Sequence, residues 1–388
     1  MDFPFSNRLK KLPTYLFIEL DRKKKAAQAR GVDVISLGIG DPDLPTPDFI
    51  IEAAYQASKD QANHQYPLGA GLKVFRDAVA RWYKRRFNVV LDPDTEICAL
   101  IGSKEGIGHL PLGILNPGDV CLVPSPGYPV YNAGTLFADA EPVFMPLWEK
   151  NHFLPDFSAI PPEALKRAKL MWTNSPNNPT SALAGKDFYE RAVAFAKQHK
   201  ILLANDAAYT EVYFDGKKPC SLLEIPGAKE IGIEFHSLSK TFNMTGWRVG
   251  FAVGNASAVK ALAEVKGNMD SGLFNAIQYA GIAALDAPDS VTDEIRDIYQ
   301  ERRDLMAEGL KKLGWHFQIP QASFYFWVKV PGGLSSAEFC GRVLDESGIV
   351  VTPGNGFGKE GEGYFRIALT VDKNRLREAL DRLSKLKV

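Results

Sequence analysis

Ser237-Leu-Ser-Lys-Thr-Phe-Asn-Met-Thr-Gly-Trp-Arg-Val-Gly250 follows the apolar run Ile231-Gly-Ile-Glu-Phe-His236, which predicts a strand emerging from a buried sheet. Two hydroxyls, Ser237 and Ser239, precede Lys240, and Arg248 follows eight residues after it. A lysine that must reach a carbonyl carbon needs a fixed backbone behind it, and a strand end supplies one. Hydroxyls and a guanidinium beside it suit a phosphate dianion, because both donate to its oxygens. An arbitrary lysine before a turn is a solvated surface group. The strand before this one and the partners around it favour chemistry.

Outward from that stretch the chain alternates. Apolar runs at 96–101, 120–124, 169–173, 201–204, 231–236 and 248–253 are separated by helical segments. Short buried runs alternating with helices predict an α/β sheet, largely parallel, with helices on both faces. Before it, helices are expected over 12–30 and 49–58 and in a long stretch ending at 87. A strand is expected at 34–40, followed by the rigid link Asp41-Pro-Asp-Leu-Pro-Thr-Pro47. Past residue 286 come a long polar helix at 288–313, strands at 315–319, 324–330, 349–352 and 364–370, and helices at 335–347 and the C-terminus. That reads as a smaller α+β unit. The expected division is a large domain over 41–286 and a small domain from 1–40 and 287–388.

Lys+Arg and Asp+Glu are both 46, so the formal charge is zero, which argues against nucleic acid or an acidic membrane surface as partner. No apolar stretch approaches the roughly 20 residues that span a bilayer. The cysteines Cys98, Cys121, Cys220 and Cys340 have no CxxC spacing, which predicts buried free thiols rather than zinc or disulfides. The histidines show no ligand spacing, so no metal site is expected. The opening residues lack the basic and apolar pattern of a signal peptide, and the expected setting is a reducing cytoplasm.

Further candidates lie at other strand ends. Ser103-Lys-Glu-Gly106 opens a helix after Ile97-Cys-Ala-Leu-Ile-Gly102, with Ser103 expected as N-cap. A helix start offers free N–H groups and partial positive charge to a phosphate, although the same string also serves as an ordinary capped helix. Pro124-Ser-Pro-Gly-Tyr-Pro-Val-Tyr131 places two tyrosines beyond a strand. Tyr128 can stack on a flat heteroaromatic ring, while Tyr131 serves equally as packing. Asn174-Ser-Pro-Asn-Asn-Pro-Thr180 and Asn205-Asp-Ala-Ala-Tyr209 end two more strands. Arg366 lies in an apolar strand, where a buried guanidinium needs a partner, and its planar fork suits a carboxylate.

Together these strings resemble the fold-type-I aminotransferases that use pyridoxal 5′-phosphate (PLP), over nearly the whole chain. The resemblance implies a large α/β domain with a mostly parallel seven-stranded sheet, a smaller α+β domain, and amino acid and 2-oxo acid substrates. It implies that Lys240 carries the cofactor covalently and moves the α-proton, and that Ser103, Lys104, Ser237, Ser239 and Arg248 bind its phosphate. Tyr128 would stack on the ring, Asp206 would keep the ring nitrogen protonated, and Tyr209 would donate to the 3′-oxygen. Asn178 would contact that oxygen and the substrate carboxylate, Arg366 would capture the carboxylate, and the Gly40 backbone would lie beside the substrate. Tyr66 would reach the phosphate of a neighbouring subunit in a homodimer, with Asn275 a second candidate for that role. The family continues its SPNNP loop with glycine, and Ser181 departs from this in a way expected to affect the turn.

Ile101–Pro111, Pro126–Tyr131 and Ser239–Arg248 together look most like the LL-diaminopimelate aminotransferases. That implies transfer from LL-2,6-diaminopimelate to 2-oxoglutarate in lysine biosynthesis. Such a substrate carries a far ammonium–carboxylate pair that needs polar partners. One branch places an acid in the loop after the Tyr66 counterpart. Pro67-Leu-Gly-Ala-Gly71 has none, and Glu105 is the candidate substitute. Alternatively Phe17, Tyr131, Phe324 and Tyr325 line an apolar pocket, favouring alanine, aromatic or other neutral amino acids, and aspartate stays among the alternatives. A PLP-dependent lyase on the same scaffold is another reading. A sensor domain of a transcription factor is a third, against which the zero net charge counts.

Overall fold

A computed structural model describes residues 2–13, 16–67 and 69–386. The strands are β1 (Ile35–Ser36), β2 (Ile97–Leu100), β3 (Val120–Ser125), β4 (Glu141–Pro146), β5 (Ala168–Asn174) and β6 (Leu202–Asp206). They continue with β7 (Gly232–Ser237), β8 (Gly250–Gly254), β9 (Tyr325–Lys329), β10 (Ile349–Val350), β11 (Thr352–Pro353) and β12 (Tyr364–Ala368). Seven form one sheet in the order β2-β8-β7-β6-β5-β3-β4. Only β8 runs antiparallel to its neighbours. β3 to β7 pair in parallel.

Burial on both faces explains why these strands read as unbroken apolar runs. Along β2, Ile97 and Ala99 enter the core on one face while Cys98 and Leu100 enter the core on the other, as a period of two requires. β4 gave no such run, because Pro142 and Pro146 interrupt it. It is an edge strand paired only with β3, where proline is tolerated.

A second body carries the antiparallel sheet β11-β12-β9 and the helices Asp289–Lys312, Ser336–Ser347 and Lys373–Leu383. The residues around β1 join it, whereas the helix at Asn7–Lys10, expected in the small domain, lies against the large one, with Arg8 donating to the Phe137 carbonyl at 3.5 Å. β1 pairs in parallel with β10, and Ile35 and Leu37 pack in the same core as Tyr299, Phe365 and Leu376. Two further expectations change. Residues 315–319 contribute a single bridge, Phe317 to Val328, before Pro320 removes the next N–H. The helix expected over 12–30 is described as Leu16–Ala29, preceded by a short helix at Asn7–Lys10. The side chain of Phe17 lies outside the described residues.

Ion pairs tie the bodies together. Arg302 forks onto Asp43 at 2.6 and 2.9 Å, and Arg303 onto Asp215 at 2.8 and 2.9 Å. The Gly127 N–H donates to the Phe357 carbonyl at 2.8 Å, and Ser125 is hydrogen-bonded to Glu360.

Candidate active site

In open α/β sheets ligands bind beyond the carboxyl ends of the strands, where the strand order reverses. Here β4 lies on one side of β3, and β5 to β7 lie on the other. The residues that leave β3, β5, β6 and β7 at that end surround a cavity of about 360 Å³.

Phosphate-type donors gather along one part of its wall. Ser103, Lys104, Ser237, Ser239 and Arg248 all line the cavity. The helix Ser103–Ile114 has Gly102, not Ser103, as its N-cap, so its first turn receives no side-chain cap. The reason is steric. Gly102 has φ +72°, and a Cβ there would stand 2.2 Å from Arg248 Nη2. Arg248 itself has φ +54°, and its Nη1 donates to the Thr245 carbonyl at 2.9 Å. The Ser239 N–H donates to Ser237 Oγ at 3.2 Å.

Lys240 projects from the short helix Leu238–Thr241, and its Nζ donates to the Gly40 carbonyl at 2.7 Å. Burial pulls its pKa down to about 8 from the usual 10.5. Asp41 opposes this, and the Arg366 and Arg248 charges add to it. A substantial neutral fraction near neutral pH makes it a usable nucleophile and base.

Asp206 ends β6 in a buried position. The Tyr131 hydroxyl donates to its Oδ2 at 2.7 Å and the Ala208 N–H to its Oδ1 at 3.2 Å. Burial still pushes the carboxyl up to about 6. Tyr131, open in the sequence between stacking and packing, is buried against Trp172 with centroids 5.1 Å apart and holds Asp206. Tyr128, half-buried, lines the cavity instead.

Arg366 donates from Nη1 to Asn178 Oδ1 and from Nη2 to the Gly38 carbonyl, both at 2.7 Å. Asn178 is set by its own loop, where its N–H donates to Asn174 Oδ1 at 2.8 Å. Ser181 takes φ +61° and donates from Oγ to the Tyr325 carbonyl at 2.7 Å, which ties the loop to β9. The Tyr209 hydroxyl lies 2.8 Å from that of Tyr325, and both residues line the cavity.

The cavity thus collects Gly40, Ser103, Lys104, Tyr128, Asn178, Asp206, Tyr209, Ser237, Ser239, Lys240, Arg248 and Arg366, but neither residue expected to reach a neighbouring subunit. Tyr66 is 91% exposed, and Asn275 is buried, accepting from Gln278 Nε2 at 3.3 Å. Glu105 does not face the cavity as expected of a partner for a far ammonium. Its Oε2 accepts from the Ile101 N–H at 3.0 Å and from buried Lys266 at 3.1 Å, and His109 Nδ1 lies 2.7 Å from its Oε1. Among the described residues Glu105, His109 and Asp270 cluster closely enough for a metal, and the Lys266 ammonium already donates to both carboxylates, at 3.1 Å each. Of the proposed apolar lining, Tyr131 and Phe324 are buried and only Tyr325 meets the cavity among the described side chains. Sequence reasoning missed Asp41, beside Gly40, and Thr245, inside the lysine stretch. Position within already quoted motifs could have found both.

No described helix is long and apolar enough to cross a membrane. Cys98, Cys121 and Cys340 are buried and Cys220 is partly so, all as free thiols.

The seven-stranded sheet thus brings a lysine, a buried aspartate and a group of anion-type donors together at its switch point. Residues 32–383 match the profile of aminotransferase class I and II, and the chain belongs to that family. It is similar to the LL-diaminopimelate aminotransferase of Syntrophobacter fumaroxidans, at 55% identity over 386 residues covering 100% of each chain. It is likewise similar to that of Aquifex aeolicus, at 56% identity with the same coverage. Among solved structures, substrate-bound BacF of Bacillus subtilis superposes with a TM-score of 0.96 at 42% identity, covering 100% of this chain and 99% of that one. A probable N-succinyldiaminopimelate aminotransferase of Thermus thermophilus follows at 0.90 and 37%, covering 95% and 99%.

Proposed function

We propose that the protein moves an amino group from LL-2,6-diaminopimelate to 2-oxoglutarate in lysine biosynthesis, with PLP held at Lys240. The observation that carries the substrate is 55–56% identity, over full length, to the diaminopimelate enzymes.

Three features fit the cofactor. Asp206 is a buried carboxylate short of a cation, which a protonated ring nitrogen provides. The uncapped start of the helix Ser103–Ile114, with Ser237, Ser239, Lys104 and Arg248 around it, suits a phosphate. Lys240 supplies an amine depressed to about 8. When bound, PLP supplies an aldehyde carbon for the amino group and a ring that accepts the electron pair left by the departing α-proton.

The chain's own residues do the rest. Arg366 and Asn178 clamp the α-carboxylate and so fix which substrate bond faces the ring. Lys240 would hold the cofactor and, with its amine lowered to about 8, would be the group that takes the proton from the substrate Cα and returns it. Asp206 would keep the ring nitrogen protonated, Tyr209 would donate to the ring oxygen, and Tyr128 would stack on the ring, all three lining the cavity.

Residues 41–286 form the cofactor-binding domain and 1–40 with 287–388 the small domain, a division supported by two cores of the first and one of the second, which Tyr209, Val212 and Phe214 also join. A second copy completes each site. Exposed Tyr66, Met269 and Phe274, together with Gly69 packed beside Gly267, support an apolar face for it. The cytoplasm is the proposed compartment.

The deciding assay compares kcat/KM for LL-diaminopimelate, alanine, aspartate and phenylalanine with 2-oxoglutarate as acceptor. LL-diaminopimelate is expected to lead. A preference for another donor by more than about tenfold overturns the substrate.

A further inference from the structure

Tyr325, on β9, touches more of the site than any role given so far uses. Its hydroxyl lies 2.8 Å from that of Tyr209. The guanidinium carbon of Arg366 stands 4.1 Å from its ring centroid. Gly40, whose carbonyl accepts from Lys240, approaches so closely that a Cβ there would fall 1.9 Å from the Tyr325 oxygen. The residue is 2% exposed and still lines the cavity.

We propose that Tyr325 is a positioning residue with two separable parts: its hydroxyl donates to Tyr209 and aims that residue's proton into the cavity, and its ring seats the Arg366 fork. The inference rests on the roles of Tyr209 and Arg366 given above.

Each phenol has one proton, so only one of the pair can donate across the 2.8 Å contact. If Tyr209 donated to Tyr325, it would present only lone pairs to the acceptor oxygen of the ring. With Tyr325 as donor, Tyr209's own proton is available, and accepting a hydrogen bond strengthens the one it gives. Burial pushes both phenols up, so the pair stays protonated over the working range. For Arg366, 1% exposed, the Tyr325 face supplies a cation–π contact, which is stronger when water is excluded.

The test uses the full-length protein loaded with PLP, as wild type, Tyr325→Phe and Tyr325→Met. The readouts are the pH midpoint of the visible absorption band and the KM for the amino acid. Donors to the ring oxygen favour the form that has lost its proton, so weakening the Tyr209 bond raises the midpoint. Tyr325→Phe should raise it by about half a pH unit or more, with KM within about twofold. Tyr325→Met, flexible enough to fill the space, should raise the midpoint and also raise KM about fivefold or more. An unchanged midpoint in Tyr325→Phe overturns the hydroxyl's part, and an unchanged KM in folded Tyr325→Met overturns the ring's. If Tyr325→Met does not fold, Tyr325→Leu gives the same KM comparison. Failure of the underlying reading looks different: the wild type would then show no visible band that Lys240→Ala abolishes.

Discussion

Asp206 shows what placing one functional residue costs. Its carboxyl is buried, and the bonds from Tyr131 and Ala208 offset the lost hydration only in part, leaving the pKa at about 6 against the usual 3.8. An acid whose folded pKa lies above its unfolded value binds more protons when folded. The cofactor-free protein therefore loses stability as pH rises from about 4 to about 6, and does not regain it above. Asp206→Asn should relieve this, by an amount on the order of 2 kcal/mol at neutral pH. The expected result is a higher melting temperature for the cofactor-free variant near pH 8, a much smaller gain near pH 4.5, and turnover lower by orders of magnitude (pH values about those bounding the titration). Equal melting shifts at both pH values would show that Asp206 is not strained by burial.

At the scale of elements, the turn between β2 and its helix shapes the proposed anion cup. Gly102→Ala must carry a side chain at φ +72° and push the Arg248 guanidinium aside. Affinity for PLP, read by fluorescence titration, should fall by about tenfold or more while circular dichroism stays unchanged. Unaltered affinity would remove Arg248 from the cup. Elements and motifs of this kind were legible wherever the signal is contiguous. Lys240 and Asn178 each follow a buried strand and Asp206 ends one, and the apolar runs gave six of the seven strands of the large sheet. β4 was illegible as a run because an edge strand tolerates the prolines that break the pattern. Gly102 rather than Ser103 is the cap, and Arg248, far along the chain, occupies the space that a side chain at 102 would need. The direction of Glu105 depends on Lys266, and the Tyr209–Tyr325 pair joins residues 116 apart. Such contacts are set by tertiary packing, which periodicity does not encode.

At the scale of the molecule, the proposed carboxylate clamp is divided, with Asn178 following β5 of the large sheet and Arg366 on β12 of the small one. The Arg302–Asp43 and Arg303–Asp215 pairs keep the two bodies in register around it. The proposed sharing of sites between two copies gives a complementation test. Lys240→Ala and Tyr66→Ala subunits, each inactive alone, should regain partial activity when mixed, because some hybrid dimers pair an intact lysine with an intact Tyr66 from the other chain. No recovery after verified subunit exchange would mean that each site is built from one chain. The account as a whole turns on Lys240, and the most direct measurement is borohydride reduction of the PLP-loaded protein followed by peptide mass mapping. One phosphopyridoxyl group on Lys240 is the predicted result, and a group on any other lysine, or none, would contradict it.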